Sequence, residues 1–467
     1  MISPQAKQGL AVCLCLLSGC LKETAIDRQA VIESENWQAE SSVISLESPQ
    51  PWLEDLESPR LEVLVKQALA GNPVLMAAES RWRIAQAQRD ISGAPLKPRF
   101  EAGAEVGRQR LNQFTRDRFG LNITASWEAD VWGRLSNTAR AAIEDEKAFA
   151  ADYRAARLSL AANVARTWFA IIEVDLQERL AGKTAEIFRK SEQVIEERYR
   201  RGLNSALDVR LARTDVATAE NEITRRQREK DGLIRKLDVL LGRYPVGHLK
   251  IPDYLPPIKQ RVPAGLPSQL LARRPDLVAA EHRLTAAGER LQAARKNRLP
   301  SIRLTTSGGL ASSELGQLLD WDSLVWSLLA GITQPIFEGG RLDAEQALAE
   351  ARHGEAWANY AQAVLVAFKE VETALAAEDH YTRQAEQLYQ ATQEASQAAE
   401  LALEQYQNGL IDIITLLQAQ RRAFETERNL IRIRRERLDN RIALYLALGG
   451  DFSPIQAEST GKGKQNP

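Results

Sequence analysis

Cysteine is confined to the first 20 of 467 residues, at Cys13, Cys15 and Cys20. A disulfide or a cysteine-held metal in the folded body is thereby excluded. Histidine is almost as scarce: His248, His282, His353 and His380 stand alone, without the spacing that places two ligands on one helix face. Neither a nucleophile elbow nor a phosphate-binding glycine loop is present. The chain reads as a non-enzyme with no metal site and no cofactor. It also lacks an excess of one charge: 61 Lys and Arg against 62 Asp and Glu leave −1, so no nucleic-acid partner is implied. The Arg-rich stretch from Arg432 to Arg437 falls in a charged helical pattern and reads as a solvated helix face. Long Ala/Glu/Arg/Gln/Leu stretches carry almost no proline, as in helix-rich chains.

What the N-terminus has is an apolar run, Leu10 to Leu17, preceded by Lys7 and too short to span a bilayer. That is the pattern of a secretory signal, residues 1–19. Leu17-Ser18-Gly19-Cys20 resembles the bacterial lipoprotein signal, which implies a covalent lipid on Cys20. Leu21 at the next position resembles lipoproteins sorted to the outer membrane. The alternative is an ordinary signal peptide with an incidental cysteine. Residues 20–58 read as a lipid-anchored tether, the Pro-rich stretch 251–268 as a linker, and 452–467 as a disordered tail.

The body says nearly the same thing twice. Asn72-Pro73-Val74-Leu75 returns as Arg274-Pro275-Asp276-Leu277, 202 residues on. Gly133-Arg134-Leu135 returns as Gly340-Arg341-Leu342, Tyr199-x-x-Gly202-Leu203 as Tyr406-x-x-Gly409-Leu410, and Leu241-Gly242 as Leu448-Gly449, all 207 residues on. Two copies of one unit, 59–250 and 269–451, follow, with five residues added between Pro300 and Gly340.

Within 99–132 the period is two. Phe100, Ala102, Ala104 and Val106 share one face; Phe119, Leu121, Ile123, Ala125 and Trp127 share another, with a polar connection from Asn112 to Asp117. In the second copy, 300–337, Ile302 and Leu304 alternate with Arg303 and Thr305, and Leu324, Trp326, Leu328, Ala330 and Ile332 face one way. The extra residues belong to a loop around Ala311 to Asp322. Each strand has about the 9 to 11 residues that cross a bilayer at a tilt, and Trp127, Trp132 and Trp326 suit an aromatic girdle. A soluble sheet capped by helices would alternate likewise. Since even the smallest membrane barrels need about eight strands, a barrel here requires several chains.

Arg134 to Tyr199 and Arg341 to Tyr406 are helical patterns without proline, rods of roughly 100 Å at ~1.5 Å per residue. Leu158, Ala162, Val164, Trp168 and Ile171 mark a coiled-coil-like seam. Gly202 and Gly409 should end the rods; Ser205, with Asp208 three residues on, and Asp412 should cap the returns. The hairpins are expected over 134–242 and 341–449. Their shorter return arms are expected to be completed end to end by helices from about Pro59 to Arg89 and from Pro267 to Lys296.

Val262-Pro263-Ala264-Gly265-Leu266-Pro267-Ser268-Gln269-Leu270-Leu271-Ala272-Arg273-Arg274-Pro275-Asp276-Leu277 resembles the inter-repeat signature of the TolC/OprM outer-membrane efflux proteins and their lipoprotein branch. Gln334-Pro335-Ile336-Phe337-Glu338-Gly339-Gly340-Arg341, Trp127 to Arg134 and Phe368 to Leu375 are similar to other motifs of that family. The resemblance implies a mainly α chain with a membrane β-barrel: a homotrimer whose long hairpins form an α-barrel and whose four strands per chain close a shared twelve-stranded barrel. It implies an exit duct in outer-membrane lipid, extending into the periplasm, with a periplasmic adaptor and an inner-membrane RND-type transporter as partners. The strand-to-helix turns are then Gly133, Arg134, Gly339, Gly340 and Arg341. Gate and adaptor docking fall to the tips: Tyr199, Gly202, Leu203, Ser205 and Asp208, and Tyr406, Gly409, Leu410, Asp412, Thr415 and Gln418. Family members often place acids in the second tip; Thr415 and Gln418 stand at the matching positions, leaving a charged ring to Asp208 or Asp412. The competing reading is a lipid-anchored periplasmic scaffold without a pore. The cargo is left open.

Overall fold

Runs of strong helix formers between glycine and proline punctuation dictate the element order. The computed structural model describes residues 52–111, 114–258 and 273–450. The first repeat contains α1 (Trp52–Asp55), α2 (Pro59–Gly71), α3 (Pro73–Gly93), β1 (Arg99–Leu111), β2 (Phe114–Ala129), α4 (Arg134–Arg200) and α5 (Ala206–Leu240). The second contains α6 (Pro275–Lys296), β3 (Ser301–Ser312), β4 (Leu324–Thr333), α7 (Arg341–Gln407) and α8 (Ile413–Ala447). Both rods, α4 and α7, have 67 residues and both returns, α5 and α8, have 35. Each rod is therefore about 100 Å long. The signal segment, Cys20 and the tail 451–467 lie outside the described residues, as do most of the tether and 259–272 of the linker and second-repeat start.

The strands form one antiparallel sheet in the order β1-β2-β3-β4. Side-chain alternation and register place Phe100, Val106, Leu121, Ile123, Leu304, Trp326, Leu328 and Ile332 on a single face. All are exposed in the single chain. The opposite face is mostly small or polar, with Gly103, Asn122, Gly309, Thr124, Ser307 and Ser327 among its residues, and carries Val325 and Leu329 on β4. Strand lengths of 13, 16, 12 and 10 residues exceed the expected range for three of the four. The first hairpin is tighter than its sequence suggests: Phe114 to Asp117 continue the ladder up to the pair Leu111 and Phe114. Between Arg108 and Arg110 the paired residues are polar on both faces, so the backbone stays a ladder after the hydrophobic alternation has stopped. The longer connection is in the second repeat and carries two short turns, Leu315–Gln317 and Trp321–Ser323. Trp127 and Trp132 donate to the carbonyls of Leu96 and Pro300, at the helix end of the sheet; Trp326 stands two strands away, in line with Ile123.

The single helix expected from Pro59 to Arg89 is two helices. Pro73 cannot donate a backbone hydrogen bond and pushes its predecessor out of the α region; Asn72 accordingly sits at φ −76°, ψ 121°. Its side chain accepts from the amides of Val74 and Leu75 at 2.9 and 3.2 Å and donates to the Leu240 carbonyl at 2.8 Å. The end of α5 thus abuts the start of α3. The second repeat builds the same joint with a different residue: Arg274 donates to the carbonyl of Ala447, the last residue of α8, at 3.3 Å, and forms ion pairs with Asp276 and Glu370 at 2.7 Å each. The expected tether also ends early. Trp52 and Leu56, one helical turn apart, are buried; Asp55 accepts from the Tyr445 hydroxyl at 2.9 Å. One turn is too short to show a period in sequence.

Coverage of the two rods differs sharply. α4 packs on α2, α3, α5, α6 and α8, and its middle, Trp168 to Asp175, is buried almost all round. α7 packs on α6 and α8, and buries 8 residues where α4 buries 28. No helix among the described residues is long and apolar enough to cross a membrane.

Gly242 and Gly202 separate backbone strain from crowding. Both have positive φ, 71° and 76°, which costs an L-residue roughly 1–2 kcal/mol. A Cβ on Gly242 would lie 2.0 Å from the Gly71 carbonyl oxygen, whereas one on Gly202 meets nothing within 4 Å. Gly242→Ala is expected to lower the thermal midpoint clearly more than Gly202→Ala. Equal shifts would remove the joint from the stability argument.

Candidate gate at the helical hairpin tips

Both rods stop by the same device. Gly202 and Gly409, at φ 76° and 75°, let the chain reverse while the amides of Leu203 and Leu410 bond back to Arg198 and Gln405 at 2.9 Å each. This is the paired-bond C-cap that satisfies the last carbonyls of a helix. The returns are capped differently. Ser205 and Asp208 form a reciprocal box: the Asp208 amide donates to the Ser205 hydroxyl at 3.2 Å, and the Ser205 amide to the Asp208 carboxylate at 2.8 Å. Asp412 accepts from the Thr415 amide at 2.8 Å, and that bond holds its carboxyl below the usual range. Gln418 and Thr415 are exposed, and Leu203 and Leu410 leave their apolar side chains in solvent.

The repeated tyrosines are not equivalent. Tyr199 is exposed, but Tyr406 is buried between the two hairpins, in a cluster with Ile195, Val209, Ala212, Ile413 and Leu416. The Arg198 guanidinium lies 5.0 Å from its ring centroid, within cation–π range. Asn204 joins the parts: its amide donates to the Tyr406 hydroxyl at 2.7 Å and to Asp208 at 3.3 Å, while its carbonyl accepts from Arg198 at 3.1 Å. Burial raises the Tyr406 pKa, although Asn204 and Arg198 oppose it. Farther up the rods two more contacts tie the hairpins together. Gln420 donates to Ser191 at 2.8 Å, and Arg421 pairs with the buried Asp215 at 2.5 Å.

Arg198, Asn204, Ser191, Asp215, Gln420 and Arg421 escape a reading that looks for what the copies share. Arg198 and Asn204 align with Gln405 and Ile411 of the second copy. The signal was a polar residue in one repeat where the other has a different group. The strand-to-helix turns stand where the sequence places them: Gly133 and Gly340 precede their rods at φ 72° and 83°, and Gly339 has φ 61°. Arg134 pairs with Glu128 at 2.6 Å, and Arg341 pairs with Glu338 and Glu345. Asp130, unnoticed in sequence, accepts from the amides of Leu135 and Ser136 at 2.9 and 2.8 Å and so caps α4.

The duplicated fold and paired tips match known proteins along most of the chain. Pyoverdine export outer membrane protein OpmQ of Pseudomonas putida is 32% identical over 441 residues, covering 91% of this chain and 92% of that protein. Cation efflux system protein CusC of Escherichia coli K12 is 33% identical over 399 residues, with 84% and 86% covered. The open-state structure of the Neisseria gonorrhoeae MtrE outer membrane channel superimposes with a TM-score of 0.82 at 30% identity, covering 90% of this chain and 96% of that one. Residues 64–243 and 266–450, the two repeats, each match the family described as outer membrane efflux protein, and the chain belongs to that family.

Proposed function

We propose that three copies of this chain assemble into the outer-membrane exit duct of a tripartite efflux system, docked to a periplasmic adaptor and fed by an inner-membrane transporter. Membership of the family makes the chain an outer-membrane efflux channel. The observation that carries the assembly is the open sheet. Its apolar face is exposed and, among the described residues of the single chain, both edges, β1 and β4, are unpaired, while a bilayer admits a sheet only when it is closed. Three sets of four strands make a barrel of twelve. The uncovered flank of α7, with Leu348, Leu365 and Leu401 exposed, calls for a neighbouring chain in the same way. A lipid on Cys20 would add an anchor on the periplasmic side. Relatives of nearly equal identity are named for pyoverdine export and for cation efflux, so similarity along the chain does not choose a cargo.

Gating belongs to the tips in this reading. The contacts of Arg198 and Asn204 with Tyr406 hold hairpin against hairpin, and opening requires that they separate. Exposed Leu203, Leu207, Leu410 and Ile414 offer the adaptor an apolar contact at the end of the duct. Asp412, exposed at the second tip, supplies carboxylates that favour cations.

The intact particle extracted in mild detergent is expected to have the mass of three chains and to conduct in a planar bilayer; a folded monomer without conductance would leave the scaffold reading standing. Tyr406→Phe deletes one hydrogen bond per chain, each worth about 1 kcal/mol, so each latch should be open roughly fivefold more often and the single-channel open probability should rise by at least that factor; an unchanged value dismisses the latch. Asp412→Asn keeps a side-chain oxygen for the cap but removes the charge. Cation selectivity should fall with the melting temperature nearly unchanged, and unaltered reversal potentials would reduce Asp412 to a helix cap.

A further inference from the structure

The lipid-facing side of β1 does not end with its apolar residues. Phe100, Ala102, Ala104 and Val106 are followed, on the same face and in an unbroken register, by Arg108 and Arg110. The apolar band can be sized along β2: Ala129 to Phe119 is ten residue steps, about 34 Å of strand and roughly 26 Å of height at a 40° tilt, close to the ~25 Å band of outer-membrane barrels. Arg108 is the first side chain past that band and Arg110 the second. Both are exposed. Arg108 stands opposite Asp117, its Nε 3.2 Å from the carboxylate; Arg110 stands opposite Thr115, which carries no charge. The other acids of this end of the sheet are Glu105, which faces the opposite side and pairs with Arg118, and Glu314, Asp320 and Asp322 in the β3–β4 connection. Two guanidiniums and one carboxylate thus form a net cationic ledge directly above a lipid-facing surface. Arg116 and Arg118, on the same hairpin, have the opposite parity and face the other side of the sheet.

We propose that Arg108 and Arg110 form a binding site for the phosphates of an anionic glycolipid of the outer leaflet. Guanidinium matches a phosphate with two parallel hydrogen bonds, and basic side chains at the edge of an apolar span are where anionic headgroups gather. The site rests on the outer-membrane reading and on the sheet's end beyond Val106 pointing away from the helices, as the hairpin does. Its function is to fix the height and rotation of the barrel in an asymmetric bilayer.

The test uses the full-length protein in mild detergent, titrated with bisphosphorylated lipid A and followed by native mass spectrometry. Wild type is expected to retain lipid A. Removing the lipid's phosphates, or making the Arg108→Gln/Arg110→Gln double variant, should lower the bound fraction at least fivefold, while Arg116→Gln should leave it unchanged. Equal retention by the double variant overturns the site, as does equally effective competition by phosphatidylglycerol or by inorganic phosphate. Conductance of the same preparations separates the two levels of failure. A conducting double variant that still holds lipid A removes only the site, whereas a wild type that does not conduct removes the duct reading and the site with it.

Discussion

A four-stranded sheet with two free edges and an exposed apolar face is an incomplete object. In hydrocarbon every backbone donor and acceptor must be paired within protein, because no water is there to accept it. Among the described residues β1 and β4 each carry an unpaired row, and four strands are too few to curl round and join. The helices repeat the same incompleteness in water: α4 is buried on most sides by its own chain, and α7 is not. One assembly, in which β1 of one copy meets β4 of the next and α7 meets a foreign neighbour, answers both deficits. The rods' equal length makes this possible, since a ring closes evenly only if its staves match.

Duplication explains how the staves came to match, and the joints show what duplication preserves. Asn72 and Arg274 are chemically unlike, yet each leaves the helix, precedes a proline, and reaches the last carbonyls of its return arm. Geometry is conserved between the copies where the residue is not. The tips show the converse. Tyr199 and Tyr406 are the same residue at equivalent places, but only Tyr406 lies at the junction of the two hairpins. Two copies placed side by side within one chain cannot have identical surroundings. A residue repeated by duplication is therefore free to take a second role in one copy.

Most elements whose chemistry is local were legible in the sequence, the Asp130 cap of α4 excepted. Gly202 and Gly409 ended the rods, Ser205 and Asp412 capped the returns, and Gly133 and Gly340 turned the strands into helices, because each acts on residues within a turn of itself. The break at Asn72 was missed although Pro73 marked it. Proline is well tolerated at the first helical position, so the residue announces either a start or a kink, and only the packing of Leu240 against Asn72 decides between them. The hairpin latch was not legible at all. Its partners, Arg198 and Asn204 on one side and Tyr406 on the other, are some 200 residues apart, and no periodicity connects them.

The contacts between the hairpin tips also have a magnitude suited to the latch role proposed for them. They consist of a few hydrogen bonds and one cation–π contact at half-exposed tips, each worth about 0.5–1.5 kcal/mol net. Moving a two-state population from mostly closed to mostly open takes about 5.5 kcal/mol, within reach of a docking protein that contacts three pairs of tips. The joints and the middle of α4 are held by buried side chains such as Trp168, Leu237 and Arg441, whose loss costs far more than a tip contact. In the proposed duct, weak contacts at the far end of stiff rods would let the tips part while the sheet and the joints stay fixed. A gate placed nearer the sheet would have to break the packing that holds the rods together.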